Sequence, residues 1–250
     1  MPTFIGIDLA WQPDRNHSGC VVLHGNQEEI AVQNNPSWIV SLNEVATFIE
    51  QHAENDTVVA IDAPLIIQNK FGQRPCETEI SRRFWAAHAS AHSSNLTLYP
   101  SAGGVRLARH LESHGFRHCP RPHEPERHLS GKWFFEVYPH SAHVILFNRS
   151  RIIKYKKGTV ASRRTGLHEF RGCLRNLSGP RLKTDSMLQF LECPRDLDNL
   201  RGLDLKHYED ILDATLCAYL AAYFWAWGYD RNEPFGTYET GYIINPKKIH

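Results

Sequence analysis

Two apolar runs, each closed by an acid, constrain this chain more than any other feature. Phe4-Ile5-Gly6-Ile7-Asp8 and Thr57-Val58-Val59-Ala60-Ile61-Asp62 are too short for core helices and lack polar alternation. Such runs read as strands buried on both faces, the condition of the inner strands of an α/β sheet. A third run, Trp133-Phe134-Phe135-Glu136-Val137-Tyr138, carries an acid inside it and is closed by Pro139. A buried carboxylate is costly unless paired or metal-bound, so three acids in or at the ends of central strands suggest one shared purpose. Two of them stand at strand carboxyl ends, where open α/β sheets place their ligand crevices.

The segments between them set the topology. After the first run, residues 19–24 and the stretch through Ile30 and Val32 read as two further strands joined at Gly25-Asn26, giving an antiparallel meander. Pro36-Ser37 reads as a helix start, followed by Trp38, Ile39, Leu42, Val45, Ala46 and Ile49 at helical spacing. That helix is long enough to cross over to a parallel strand at residues 57–62. Residues 76–92 and 105–114 read as helices of an insertion at about 76–130, residues 141–147 as a helix start, and residues 161–177 as an arginine-rich helix. Residues 178–204 read as loop, and Tyr208 to Trp227 as a strong helix ended by Gly228. The tail from Thr237 to Pro246 reads as a short added strand. The expected fold is a five-stranded mixed sheet with helices on both faces, forming a single domain over 1–250.

The last helix adds two more acids. Asp210 and Asp213, three apart, share a face that continues as Ala214, Cys217, Ala218 and Ala221. Small side chains let a helix lie close on a sheet and carry its acids toward Asp8 and Asp62. Taken singly, Asp8 and Asp62 read equally as turn or cap formers, Glu136 reads as a salt-bridged edge residue, and Asp210 as a first-turn residue favoured by the helix dipole. Taken together, Asp8, Asp62, Glu136, Asp210 and Asp213 form a set of hard oxygen donors suited to Mg²⁺ or Mn²⁺. Two such ions can activate an attacking water and stabilise a leaving oxygen. His140, just beyond Glu136, is a candidate general base or proton carrier.

Composition narrows the rest. Net charge is +1, so nucleic acid would have to be met by a local patch rather than a global field. Arg149 to Lys183 supplies one, with eleven Lys or Arg against the single acid Glu169. Lys156, Lys157, Arg163 and Arg164 are the candidate phosphate contacts, with Tyr155 between the lysines as a stacking candidate. The same run also reads as a solvated helix face. His110 and His114 are four apart, but no third ligand follows at a familiar spacing. The six cysteines are scattered without a Cys-x-x-Cys pair, which excludes a disulfide scaffold and a clustered zinc site. No basic region followed by an apolar run opens the chain, and residues 214–227 are too short to span a bilayer. A cytoplasmic location and no membrane partner are the expectations.

Gly6-Ile7-Asp8, Ala60-Ile61-Asp62-Ala63-Pro64-Leu65, Glu136-Val137-Tyr138-Pro139 and Asp210-Ile211-Leu212-Asp213-Ala214 resemble a domain-of-unknown-function family regarded as nucleases of ribonuclease-H-like fold. Arg74-Pro75-Cys76-Glu77 with Arg82-Arg83, and Lys154-Tyr155-Lys156-Lys157-Gly158 with Arg163-Arg164 and Gly166-Leu167, are similar to that family as well. More distantly, the opening Gly-Ile-Asp and the closing Asp-x-x-Asp-Ala look like Holliday-junction resolvases, with one departure: their pattern has Glu where Asp62 stands. The resemblance implies a metal-dependent nuclease acting on DNA or RNA. Two rivals remain, a non-catalytic nucleic-acid-binding module and a sugar-kinase-like phosphotransferase. The kinase would need glycine-rich phosphate loops, and Ser101-Ala102-Gly103-Gly104 is the one candidate stretch.

Overall fold

The structure, a computed structural model, describes residues 1–33, 35–119, 127–183 and 197–249. The strands are β1 (Thr3–Asp8), β2 (Ser18–Gly25), β3 (Glu29–Val32), β4 (Ser37–Ile39), β5 (Thr57–Ile61), β6 (Arg117–His118), β7 (Lys132–Glu136), β8 (Arg181–Leu182), β9 (Asn232–Thr237) and β10 (Gly241–Pro246). The α-helices are α1 (Leu42–His52), α2 (Pro75–Phe84), α3 (Gly103–Ser113), α4 (Pro139–Leu146), α5 (Val160–Arg175) and α6 (Gly202–Arg231). The main sheet runs β6-β7-β5-β1-β2-β3-β8, with β4 beside β2. It is mixed: β1, β5, β7 and β6 are mutually parallel, while β1-β2, β2-β3 and β2-β4 are antiparallel and β3-β8 is parallel.

The expected five strands become eight in this sheet because three short ones join its edges. β4 is one of them, and it replaces the expected first turn of the crossover helix. Trp38 and Ile39 happen to be in phase with the helix that follows. Pairing with β2 and an indole N–H donated to the His207 carbonyl hold them extended. The helix begins at Leu42, capped by Ser41. β9 and β10 form a separate hairpin where one added strand was expected. The expected insertion at 76–130 divides between two layers. α2 packs on the β9-β10 hairpin, whereas α3 packs on α1; residues 120–126 lie outside the described residues. The expected loop at 178–204 contains β8, a 3₁₀ turn at Leu197–Asn199 and the start of α6; residues 184–196, with Cys193, lie outside the described residues. The other five cysteines are free.

Side-chain alternation distributes each inner strand between two cores. Ile5, Ile7, Cys20, Val22, Val59 and Ile61 pack with Val45 and Ile49 of α1 and Leu107 and Leu111 of α3. Phe4, Val21, Leu23, Val58 and Ala60 pack on the opposite face with α5 and α6. No helix among the described residues is long and apolar enough to cross a membrane. α6 is buried along most of its length because the sheet, α4 and α5 surround it.

The approach of α6 to the sheet depends on glycine. A Cβ on Gly6 would stand 2.1 Å from both the Ala214 carbonyl oxygen and the Ala218 nitrogen, and one on Gly19 would stand 2.5 Å from the Asp210 carbonyl oxygen. These are backbone atoms, which no rotamer change can move. Gly6→Ala is therefore expected to cost about 3 kcal/mol or more in urea unfolding. Gly172→Ala on α5, where a Cβ meets nothing within 4 Å, should gain up to about 1 kcal/mol.

Candidate active site

Register places the strand acids. Ile7 pairs with Ile61 across the parallel β1-β5 ladder, and the Asp62 N–H donates to the Ile7 carbonyl at 2.9 Å. Asp8 and Asp62 therefore follow equivalent positions on neighbouring strands. By alternation they share the face of Gly6 and Ala60, the face that α6 covers. Asp8 also pairs with Gly19, whose missing side chain admits the first turns of α6. The structure thus brings Asp8, Asp62, Asp210 and Asp213 to one place. Asp8, Asp62 and Asp210 line a cavity of about 310 Å³, and Asp213 is fully buried behind it.

Glu136 stands differently. It pairs with Ile61, not with the position of Asp62, so it belongs to the opposite side of the pleat. It reaches the cavity wall, but its oxygens are engaged. Arg74 donates Nη1 to Oε2 at 2.8 Å and Nη2 to Oε1 at 2.5 Å, and the Leu65 N–H donates to Oε2 at 3.0 Å. Arg74, only 1% exposed, also binds Glu77, and Glu77 accepts the Arg74 and Ser94 backbone N–H groups. Burial raises the pKa of Glu136, against the opposing pull of Arg74. This network assigns Glu136 a structural partner in place of the expected role as a metal ligand.

The basic segment also resolves differently from the expectation. Tyr155 is fully buried and donates its hydroxyl to Asp213 Oδ1 at 2.5 Å, so it is not a stacking platform. Lys156 enters the acid cluster, its Nζ 3.1 Å from Asp213 Oδ2. That contact lacks hydrogen-bond alignment, and Oδ2 has no hydrogen-bond donor. Arg163 donates to Glu209 at 3.1 Å and to the Tyr155 carbonyl, and Arg164 grips the Leu200 carbonyl at 2.7 Å. These arginines are committed within the fold and not presented to a phosphate. Lys157 is exposed. His140 is not among the cavity-lining residues; burial, with Lys156, His92 and Lys157, lowers its pKa to about 3, so its imidazole is uncharged at neutral pH.

Residues not singled out in the sequence complete the cavity: Trp11, Asn16, His17, His92, Tyr138 and Lys206. Lys206, four before Asp210 on α6, forms an ion pair with it and reaches Glu209 at 3.0 Å. That i, i+4 spacing was readable; the loop residues carried no pattern. Gly103 and Gly104, the candidate phosphate loop, serve packing. A Cβ at Gly104 would stand 2.3 Å from the Pro64 carbonyl oxygen, and one at Gly103 would meet Pro13.

The electrostatics follow from burial and crowding. Burial raises the pKa of Asp8 well above the ordinary carboxylate range; Lys156 opposes this, and Asp213, Asp62 and Asp210 add to it. Burial likewise raises Asp62 to about 7, with Lys156 opposing and Asp213 and Glu136 reinforcing. Burial alone would lower the Lys156 pKa, but Asp213, Tyr155, Asp8 and Asp62 outweigh it and hold the ammonium charged. Among the described residues, no group hydrogen-bonds the carboxylates of Asp8 or Asp62.

Residues 6–232 match the model of a family described as "Protein of unknown function (DUF429)". The match covers most of the chain, so the chain belongs to that family. A search of curated proteins found no match.

Two stability predictions follow from these contacts. Arg74→Met strands two buried carboxylates and should cost about 3–5 kcal/mol in thermal unfolding, with Glu136→Gln on top of it restoring part of the loss. Asp62 binds its proton more tightly folded than unfolded, so it withdraws stability as pH rises from about 4 through about 7. Asp62→Asn, melted in chelator, should therefore exceed the parent by several degrees at pH 8 and nearly match it at pH 4.

Proposed function

We propose that this DUF429-family protein is a metal-dependent phosphodiesterase of ribonuclease-H-like fold, acting on nucleic acid. The observation that carries the reading is the pair of strand-end carboxylates, Asp8 and Asp62, without hydrogen-bond partners among the described residues, lining one cavity with Asp210 of α6 and close enough to Asp213 to feel its charge. The fold supports it. Strands β3-β2-β1-β5-β7 form the five-stranded mixed core expected of ribonuclease-H-like proteins, with β2 alone antiparallel to the other four.

The donor set fits a hard divalent cation. Asp8 and Asp62 offer open carboxylates, and Asp213 has one buried oxygen without a hydrogen-bond donor. Asp210, held by Lys206, borders the same space. Mg²⁺ or Mn²⁺ favours a few carboxylates with the remaining positions left to water and phosphate. When bound, such an ion supplies an activated water and charge stabilisation at the leaving oxygen.

The chain's own groups do the rest. Tyr155 fixes the orientation of Asp213 through its hydroxyl. Lys156 stands against Asp213 and lines the cavity, where its ammonium can take a phosphoryl oxygen. Trp11, half exposed on the rim and 4.6 Å from Tyr99 by ring centroids, offers an aromatic face to an unstacked base. Lys154 and Lys157, exposed beyond Lys156, are the phosphate contacts of the basic segment.

The test is hydrolysis of labelled single-stranded, duplex and branched DNA and RNA with Mn²⁺. Asp8→Asn and Asp62→Asn should each lower the rate at least 100-fold with the fold intact by circular dichroism, and Lys156→Met about 10- to 100-fold. Full activity in both aspartate variants would remove the proposal.

A further inference from the structure

A second cluster stands on the other face of the sheet, away from α6. His110 and His114 occupy the end of α3, four residues apart, so both rings project from one side of the helix. Glu50 comes from the last turn of α1, the neighbouring helix. One ligand atom from each of the three lies within 4.8 Å of the others. His110 Nε2 contacts Glu50 Oε1 directly, and His114 Nε2 lies 3.8 Å from the same oxygen. The two imidazoles stack at 4.2 Å with 19° between their planes. We propose that Glu50, His110 and His114 form a zinc site that clasps α1 to α3.

The hydrogen bonds around His114 carry the argument beyond proximity. Its Nδ1 lies 2.8 Å from the His110 carbonyl oxygen. A carbonyl only accepts, so Nδ1 carries the proton and donates it. The lone pair is thereby left on Nε2, the atom facing Glu50. The Ser113 hydroxyl lies 3.1 Å from the same Nδ1 and donates to the same carbonyl at 2.7 Å. A backbone carbonyl on the far nitrogen is the support that fixes tautomer and ring orientation in zinc-bound histidines.

Distance and donor type select the ion. Tetrahedral Zn²⁺ with bonds of about 2.0–2.1 Å holds its ligand atoms roughly 3.4 Å apart. Coordination would open the direct His110–Glu50 contact and draw in His114 Nε2 from 3.8 Å, through rotations of three partly exposed side chains. Two imidazoles and one carboxylate suit Zn²⁺ and not Mg²⁺, which prefers oxygen. A simple ion pair would account for His110 against Glu50, but it gives no reason for a second imidazole with its lone pair turned to the same oxygen. The clasp also bears on the cavity side of the fold. α3 ends beside the histidines, and its first turn carries Gly104, packed on Pro64 two residues after Asp62.

Isothermal titration of the full chain with Zn²⁺ tests this, in an Asp8→Asn/Asp62→Asn background that removes the oxygen-rich site. One Zn²⁺ per chain is expected, with His110→Ala, His114→Ala and Glu50→Gln each weakening binding at least tenfold. Zn²⁺ should raise the melting temperature of this background chain and not that of the two histidine variants made in it, and Mg²⁺ should raise neither. Absence of Zn²⁺ binding in the background chain, or binding that both histidine variants retain in full, would overturn the assignment.

Discussion

The close seating of α6 on β1 and β2 is the contact on which the site depends. Gly6 and Gly19 carry no side chain where Ala214, Ala218 and Asp210 present backbone, so helix and sheet meet at main-chain distance. That proximity is what turns two separate features, acids at strand ends and an Asp-x-x-Asp helix, into one electrostatic object. Were the helix lifted by the width of a methyl layer, Asp210 and Asp213 would stand apart from the strand-end acids Asp8 and Asp62. The small residues of α6 and the glycines of the strands are thus functional in position, although none of them carries chemistry.

Like charges brought together in a dry place must be compensated, and the fold does so unevenly. Glu136 and Glu77 are held by Arg74, and Glu209 by Arg163 and Lys206. These are closed arrangements in which donors and acceptors match. Asp8 and Asp62 are left open, and burial pushes their pKa values up as a result. A fold that can satisfy Glu136 so fully could have satisfied its neighbours by the same means. Two acids left unsatisfied at adjacent strand ends are the places where stability has been given up, which is where binding or catalysis is expected.

What was legible in the sequence follows from which interactions are local. β1, β5 and β7 could be read because burial on both faces writes a continuous apolar run, and α6 because its small and apolar residues repeat at helical spacing. The two-residue pleat is legible as well, but which face Glu136 takes depends on register between strands, which no local pattern fixes. Glu136 lies one position short of the register of Asp62, and a single residue moves a side chain to the other side of the sheet. β4 was missed because Trp38 and Ile39 fell by accident into the phase of α1. The arginines of the basic segment were misread because their partners, Glu209 and the Leu200 carbonyl, lie tens of residues away. Glu50, sixty residues before His110, was hidden from the histidine pair for the same reason.

Charge balance within the cavity explains why Lys156 can belong to an acid site without filling it. Asp8, Asp62, Asp210 and Asp213 together carry four negative charges when ionised, and Lys156 and Lys206 return two positive ones. Two protons or one divalent cation would cancel the remainder. The raised pKa of Asp62, at about 7, is the proton route. It fails as the medium becomes alkaline, and the repulsion then returns to the folded state. A divalent cation would cancel the same excess while leaving every carboxylate charged and able to act as a ligand. Lys156 and such an ion therefore need not compete: the lysine answers Asp213 from one side, and the uncompensated charge that remains belongs to the strand-end pair.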